Sequence, residues 1–406
     1  MSDLVITGQQ IGLLGGPLYT TYKVLGALHY AKQIAGEALY WLETNDADFN
    51  EINHIDYLDS EGKLRNLTWN LDSRGFSCGL IEVGDSLVAL LEQFFSSLRT
   101  TEFTPALRDI ALSCYVPGRT LSEASSDLAS ALFGRFNIRL FTPAEKKFRK
   151  FSRTILQGEA ERTPEGQQCN LFCMIGKKRE ALFKKGGNFC LRDGSPVDMS
   201  LYDLVPNVKT RNVCQDAYFN TQTYIAGPGE IKYIADLDPV YRFHKVKKAA
   251  VKARMSLFLV EPKVNRLIKK TGVTLAEVLE HNSHALIKKV IREKSGFDFK
   301  ETLRQAETVT GEYIGELESL GLDISDVNPL LRSEVKKICG KRRTVEKEKQ
   351  SGLIESLQYL SDNLKPYGKK QERVFNIFYY MNLFGGTGFV DWLYKHHDFA
   401  IDRLEI

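Results

Sequence analysis

No run in this 406-residue chain approaches ~18 uninterrupted apolar residues, so no segment reads as a helix crossing a membrane. The opening MSDLVITGQQ lacks the basic stretch and apolar core of a signal peptide, and a cytoplasmic location is the expectation. Cysteine is sparse and irregular. Seven residues at positions 78, 114, 169, 173, 190, 214 and 339 give an odd count without periodic spacing. That usage reads as reduced thiols rather than a disulfide framework. Cys169 and Cys173 stand close but lack a second pair or a nearby His, so no zinc or other metal site is expected. Neither sign of charge dominates: 55 basic and 51 acidic residues leave +4, too little to argue for nucleic acid. Glycine (31) and proline (12) form no repeat, which excludes collagen-like chains. With 43% apolar and 11% aromatic residues the chain can bury a large core, and its length allows two or three domains.

The first 43 residues carry a pattern. DLVIT (3–7) reads as a buried strand and runs into the turn-rich GQQIGLLGGP. From Leu18 a helix is predicted, with Leu18, Tyr22, Leu25 and His29 on one face and Val24, Leu28, Ala31 and Ala35 on the next. Pro17 suits its first turn. ALYWLE (38–43) is a second strand, so the order is β-α-β with a parallel sheet. Residues 84–98 and 121–133 read as amphipathic helices, Ile138–Phe141 as a strand, 160–200 as short β segments or a small insertion, and 223–237 as strand, Gly-Pro-Gly turn and helix. AAVKARMSLFLV (249–260) holds a last strand. Beyond Pro262 the pattern is helical, opening with the capping box Thr274-Leu-Ala-Glu277. Leu303, Ala306, Tyr313, Leu317 and Leu320 share a face, GLDISDVNP (321–329) breaks it, and Leu353, Leu357, Leu360 and Leu364 form a short a/d seam. That seam asks for a partner, as a helical hairpin or as a dimer.

Four segments carry candidate chemistry. In TGQQIGLLGGPLYTTYK (7–23) a Gly-rich turn precedes a helix N-terminus, which suits phosphate or carboxylate. Gln9 and Gln10 offer paired donors and acceptors, Lys23 reaches back if its face points to the cleft, and a plain tight connection would look the same. ETNDADFNEINH (43–54) follows the second strand and falls at the same sheet edge. Asp46 and Asp48 could bind an amine or act as base, and Glu51 and His54 are spaced to share a helix face. A solvated loop with an Asp cap explains the same spacing. In PNVKTRNVCQDAYFNTQTYIAGPGEIKY (206–233), Arg211, Gln215 and Asp216 precede a strand feeding Gly227–Glu230, with Pro228 fixing the turn. Residues 245–270 hold nine Lys/Arg against Glu261 alone, and 331–350 eight against three acids; solvated helix faces are the plainer reading. RNA binding ranks last, because no stacking aromatics alternate with the charges.

TGQQIGLLGGPLYTTYK, WLETNDADFNEINH, PNVKTRNVCQD…TYIAGPGEIKY and QERVFNIFYYMN (371–382) resemble, in this order, the BshC family, the cysteine ligase assigned to bacillithiol biosynthesis. The resemblance implies a Rossmann-like parallel sheet similar to class I aminoacyl-tRNA synthetases, with small insertions and a C-terminal α-helical coiled-coil domain forming a homodimer. The division it suggests is a core over 1–262 with insertions at about 70–135 and 150–205, a coiled-coil region over 263–370, and helices at 371–406 returning to the core. It implies small-molecule substrates (cysteine and glucosaminyl-malate), an amide product, and ATP, with Mg as a possible companion, activating the cysteine carboxyl. Neither a membrane nor nucleic acid is expected as partner. By the same resemblance Asp46, Asp48, Gln9 and Gln10 take catalytic roles. Gly15, Gly16, Tyr19, Lys23, Asn53, His54, Arg211, Gln215, Asp216, Gly227, Gly229, Glu230 and Arg254 contact substrate or nucleotide, Arg254 standing where the synthetase fold keeps a basic phosphate loop. The sequence departs from the family twice. The strand leading into TGQQ starts almost at Met1, where family members carry an added segment, and Ala47 replaces the His of the usual D-H-D-F. A catalytically altered, dimeric nucleotide- or metabolite-binding paralogue is the alternative.

Overall fold

The computed structural model describes residues 3–296, 298–396, 399 and 403–406. The chain divides into two units, residues 1–259 with 371–404, and residues 260–370.

In the first unit β1 (Leu4–Gln10), α1 (Leu18–Gln33) and β2 (Glu37–Glu43) form the β-α-β opening. A hairpin of β3 (His54–Leu58) and β4 (Leu64–Thr68) follows, then α2 (Asp85–Ser97), α3 (Thr104–Cys114), α4 (Leu121–Phe133), β5 (Arg139–Phe141) and α5 (Lys146–Glu161). The stretch read as short β segments is a four-stranded antiparallel sheet of β6 (Gln168–Ile175), β7 (Lys178–Lys185), β8 (Asn188–Cys190) and β9 (Asp203–Pro206), ordered β8-β7-β6-β9. α6 (Val208–Phe219), β10 (Thr223–Ala226), α7 (Pro228–Ala235), α8 (Asp238–His244) and β11 (Ala250–Ala253) return the chain to the main sheet.

That main sheet is parallel throughout, in the order β11-β10-β1-β2-β5. β1 lies in the middle, with Ile6 opposite Leu39 on one side and Tyr224 on the other. The chain runs outward from β1 through β2 to β5 and then crosses to β10 and β11 on the other side of β1, so the carboxyl ends of β1 and β10 border a topological switch point, where open α/β sheets bind ligands. Its inner strands β10, β1 and β2 carry apolar runs because both faces are covered. Val5, Ile6, Trp41 and Ile225 have no exposed surface. α1 is buried on more than one side, through Leu18, Tyr22, Val24, Leu25 and Leu28. Pro17 is its N-cap rather than a residue of its first turn.

The second unit is helical: α9 (Pro262–Thr271), α10 (Leu275–Glu280), α11 (Ser283–Ser295), α12 (Phe299–Ser319), α13 (Val327–Lys349) and α14 (Ser351–Leu364). The Thr274–Glu277 capping box forms with both of its hydrogen bonds. The leucine seam finds its partner within the chain. Leu357, Leu360 and Leu364 are fully buried with Val264, Val278, Leu286 and Val290, and Leu353 packs at the edge of this cluster. A second copy is therefore not needed to cover α14. On α12, Ile314 is the buried residue, whereas Tyr313 is exposed, as is Leu320 just past its end.

α15 (Ile377–Leu383) and α16 (Gly388–His396) belong to the first unit. Asn376, 2% exposed, caps α15 and sends its Nδ2 to the carbonyls of Leu13, Leu14 and Gly16 at 3.0–3.1 Å. The Gly-rich turn after β1 is thus held from a point about 360 residues away.

Candidate active site

A cleft of about 510 Å³ opens at the carboxyl edge of the main sheet. β1 supplies Gly8, Gln9 and Gln10, α1 supplies Tyr19 and Lys23, and β2 ends in Glu43. The Gly227–Glu230 turn enters after β10, and Arg179 of β7 and Arg211 of α6 reach in from the neighbouring elements. Five basic side chains (Lys23, Arg179, Arg211, Arg254 and Arg373) face three carboxyls (Glu43, Asp46 and Glu230). The balance favours an anionic ligand. Two helices also begin in its wall, α6 at Val208 and α7 at Pro228.

The centre of the cleft is a buried ionic network. Lys23, 3% exposed, donates to the Gly8 carbonyl at 2.7 Å, to Gln9 Oε1 at 3.0 Å, and to the Glu230 carboxylate. Its three donors are all used, so it braces β1 against α7. Glu230 also accepts from Tyr224 Oη and from the Gly227 N–H, both at 2.7 Å. Burial opposes its ionisation, but Lys23, Arg211 and the Gly227 N–H outweigh that and hold the carboxyl below its ordinary value. Arg211 donates to Tyr224 Oη at 2.5 Å and to Gln215 Oε1 at 3.3 Å, and lies over the rings of Trp41 and Tyr224. Gly8 is required beside it, since a Cβ there would stand 2.7 Å from Arg211 Nη1.

Ten of the residues expected in the site come together here: Gln9, Gln10, Tyr19, Lys23, Asp46, Arg211, Gly227, Gly229, Glu230 and Arg254. Besides Lys23 and Glu230, two of them arrive already engaged. Asp46 accepts from Arg179 at 2.7 Å, through the same Oδ1 that takes the Ala47 N–H. Arg254, expected as a phosphate-binding group, is instead clamped by both oxygens of Glu372 at 2.6 and 3.0 Å.

The other expected residues lie outside the cleft. Gly15 and Gly16 do not line it. Their φ values of 84° and 72° serve the turn itself, and the N–H of Leu18 at the start of α1 is taken by the Phe375 carbonyl. The expected phosphate cradle is therefore closed by the chain. Asp48 is exposed and contributes only its backbone carbonyl, to Gln10 Nε2 at 3.2 Å. Glu51 and His54 do not share a helix face. A 3-10 turn covers Phe49–Glu51, and His54 starts β3, near Asp56. Asn53 donates to the Trp69 carbonyl, closing the open end of the β3–β4 hairpin. Gln215 and Asp216 sit behind Arg211. Asp216 accepts from Tyr241 Oη, Gln215 Nε2 and the Ala249 N–H, so it stitches α6 to the approach to β11.

Sequence reasoning missed Glu43, Arg179, Tyr233 and Arg373. Glu43 alone carried a signal, as the polar end of a buried strand at the ligand edge. Tyr233 and Arg373 fall inside quoted motifs without being singled out, and Arg179 comes from a segment whose pattern gives no hint of where the fold sends it. Among the described residues no group of three or more His, Cys, Asp or Glu is placed to hold a metal ion, and no helix is long and apolar enough to cross a membrane.

The chain matches the family model "Bacillithiol biosynthesis BshC, N-terminal Rossmann-like domain" over residues 2–168 and 159–255. It matches "Bacillithiol biosynthesis BshC, C-terminal coiled-coil domain" over 257–402. Relatives named "Putative cysteine ligase BshC" include one from Chlorobaculum tepidum, 29% identical over 94% of this chain and 78% of that protein. Another, from Bacillus licheniformis, is 25% identical over 98% and 82%. Among solved structures, a "putative arginyl t-RNA synthetase" of Campylobacter jejuni aligns over 99% of this chain and 93% of that one, at 10% identity and a TM-score of 0.30. Matched from residue 2 to residue 402 by the two domains of one family, the chain belongs to the BshC family of bacillithiol biosynthesis.

Proposed function

We propose that this cleft joins the carboxyl of cysteine to the amine of glucosaminyl-malate, making the chain the amide-forming ligase of bacillithiol biosynthesis, with ATP activating the carboxyl. What supports the reading is that three of the family's motifs, TGQQ, the Asp46 loop and GPGE, meet at one polar cleft at the switch point of a parallel sheet.

The residues present suit an anionic co-substrate. The cleft has more basic than acidic side chains, and at Gly229 no atom lies within 4 Å of where a Cβ would stand, so a ligand can approach the backbone of the turn. Gly227–Glu230 would shape the ribose or adenine pocket, and Arg211 and Arg373 would meet the charge. Bound ATP supplies the phosphate leaving group that makes the cysteine carboxyl an acyl donor. Gln9 and Gln10 hold polar substrate groups. Asp46 Oδ2, the oxygen not turned to Arg179, meets the substrate ammonium. Self-association belongs to the same reading. With α14 covered, its surface falls on the exposed apolar residues of α12 and α13, among them Val309, Tyr313, Leu330 and Ile338.

The test supplies purified protein with cysteine, glucosaminyl-malate and ATP and follows the amide by mass spectrometry. Product dependent on all three components is expected. ATP binding without product would favour the altered paralogue, for which Ala47 in the D-x-D-F loop is the motivating observation. Restoring the imidazole by Ala47→His separates a weakened enzyme from a binding protein.

A further inference from the structure

Three carboxyl groups reach the cleft, and two of them are paired with a cation of the protein. Glu230 is saturated by Lys23, the Gly227 N–H and Tyr224. Asp46 is paired with Arg179. Glu43 is different. Its Oε2 accepts from Trp41 Nε1 at 3.0 Å, its Oε1 from the Asn45 N–H at 2.9 Å, and among the described residues no cation lies within ion-pairing distance. A carboxylate offers about four acceptor sites, so each oxygen keeps capacity for a substrate hydrogen. The two N–H groups also fix its direction. Trp41 has no exposed surface and lies in register with Gly8 on β1, and Asn45 is buried. The charged groups facing Glu43 are Arg211, which favours its ionised form, and Asp46, which opposes it.

We propose that Glu43 is the general base of the ligation, a role that rests on the ligase reading of this cleft. The substrate ammonium passes one proton to a Glu43 oxygen. The neutral nitrogen then donates its lone pair to the acyl carbon of the activated cysteine. The C–N bond forms, the bond from that carbon to the phosphate oxygen breaks, and the phosphate leaves with the electron pair. The second nitrogen proton goes to solvent, and Glu43 returns its own to water. Burial pushes the Glu43 carboxyl above its ordinary value, more than Arg211 and the two N–H groups pull it down. A raised carboxyl is the better proton acceptor near neutral pH.

The experiment compares wild type, Glu43→Gln and Glu43→Asp with two acceptors, glucosaminyl-malate and hydroxylamine. Hydroxylamine is uncharged at neutral pH and needs no base. Glu43→Gln is expected to lose roughly 10²- to 10⁴-fold with the amino sugar, and far less with hydroxylamine. It should also lose the fall in rate that wild type shows on the acid side. Glu43→Asp, which keeps a carboxylate, should recover part of the rate and that acid limb. Equal loss with both acceptors, or no loss with either, overturns the base role. If Glu43→Gln fails to fold, the pH profile of Glu43→Asp decides, and a profile unchanged from wild type overturns it. A wild type that makes neither product fails as a ligase, and the role of Glu43 falls with it.

Discussion

Gly8 has the least room of the three glycines lining the cleft. A methyl group there would stand 2.7 Å from Arg211 Nη1 and 3.2 Å from Tyr224 Oη, so Gly8→Ala must push the guanidinium off its two aromatic faces. We expect ATP affinity, read by calorimetry, to fall about 10-fold or more, the worth of one charge-assisted contact. Glu230 governs a different property. Its carboxyl is held below the ordinary 4.5 in the folded chain. The stability it adds is therefore fully present above that value and lost as pH falls through the lower folded value. Glu230→Gln should remove that acid limb from a denaturation series over pH. It also leaves Lys23 buried without its counter-charge, a loss on the order of 3–5 kcal/mol. The unlike fates of the expected site residues have one cause. A motif tells which residue types gather, not which of their charges are already answered. Lys23 and Arg254 look like phosphate-binding groups in sequence, but the partners that occupy them, Glu230 and Glu372, lie far along the chain.

Elements were legible where period and punctuation agreed. β1, α1 and β2 follow directly from an apolar run, a Gly-rich turn, a two-faced helical pattern and a second apolar run. The GPG turn placed β10 and α7 for the same reason. α3 carries a thinner stripe, with Leu107, Ala111 and Cys114 buried, and it is absent from the sequence reading. The seam on α14 was legible as a pattern but not in its destination, because heptad spacing does not say whether the facing helix belongs to the same chain. The structure supplies α9, α10 and α11 as that face. Leu357→Ala should therefore cost about 2–5 kcal/mol in denaturant unfolding of the helical unit. Sedimentation should show the same oligomeric state as wild type. A shift toward monomer would return the seam to an intermolecular role.

The whole first unit is built from separated pieces of sequence, residues 1–259 and 371–404. The late motif QERVFNIFYYMN explains how they are joined. Gln371 exchanges hydrogen bonds with the Leu259 backbone, Glu372 clamps Arg254, Asn376 holds the turn after β1, and Asn382 accepts from Thr101 and Thr104. Nothing in composition or periodicity gives these destinations; only the order of motifs hinted that the segment belongs with the core. Asn376→Ala would strand the Leu14 and Gly16 carbonyls, while that of Leu13 keeps the Gly16 N–H, and we expect a loss of roughly 1–3 kcal/mol per buried group left unsatisfied. Thermal unfolding of the variant measures it, and an unchanged midpoint would show that water replaces the amide. The same contact sets a clock for biosynthesis. Some 360 residues separate Gly16 from Asn376. At ~5–20 residues per second the ribosome needs tens of seconds to deliver the second after the first. Through that interval the nascent β1 turn lacks its clasp and the cleft lacks Arg373, so both are finished only late in translation, and a chain stalled before residue 371 should expose that unclasped turn to chaperones and proteases.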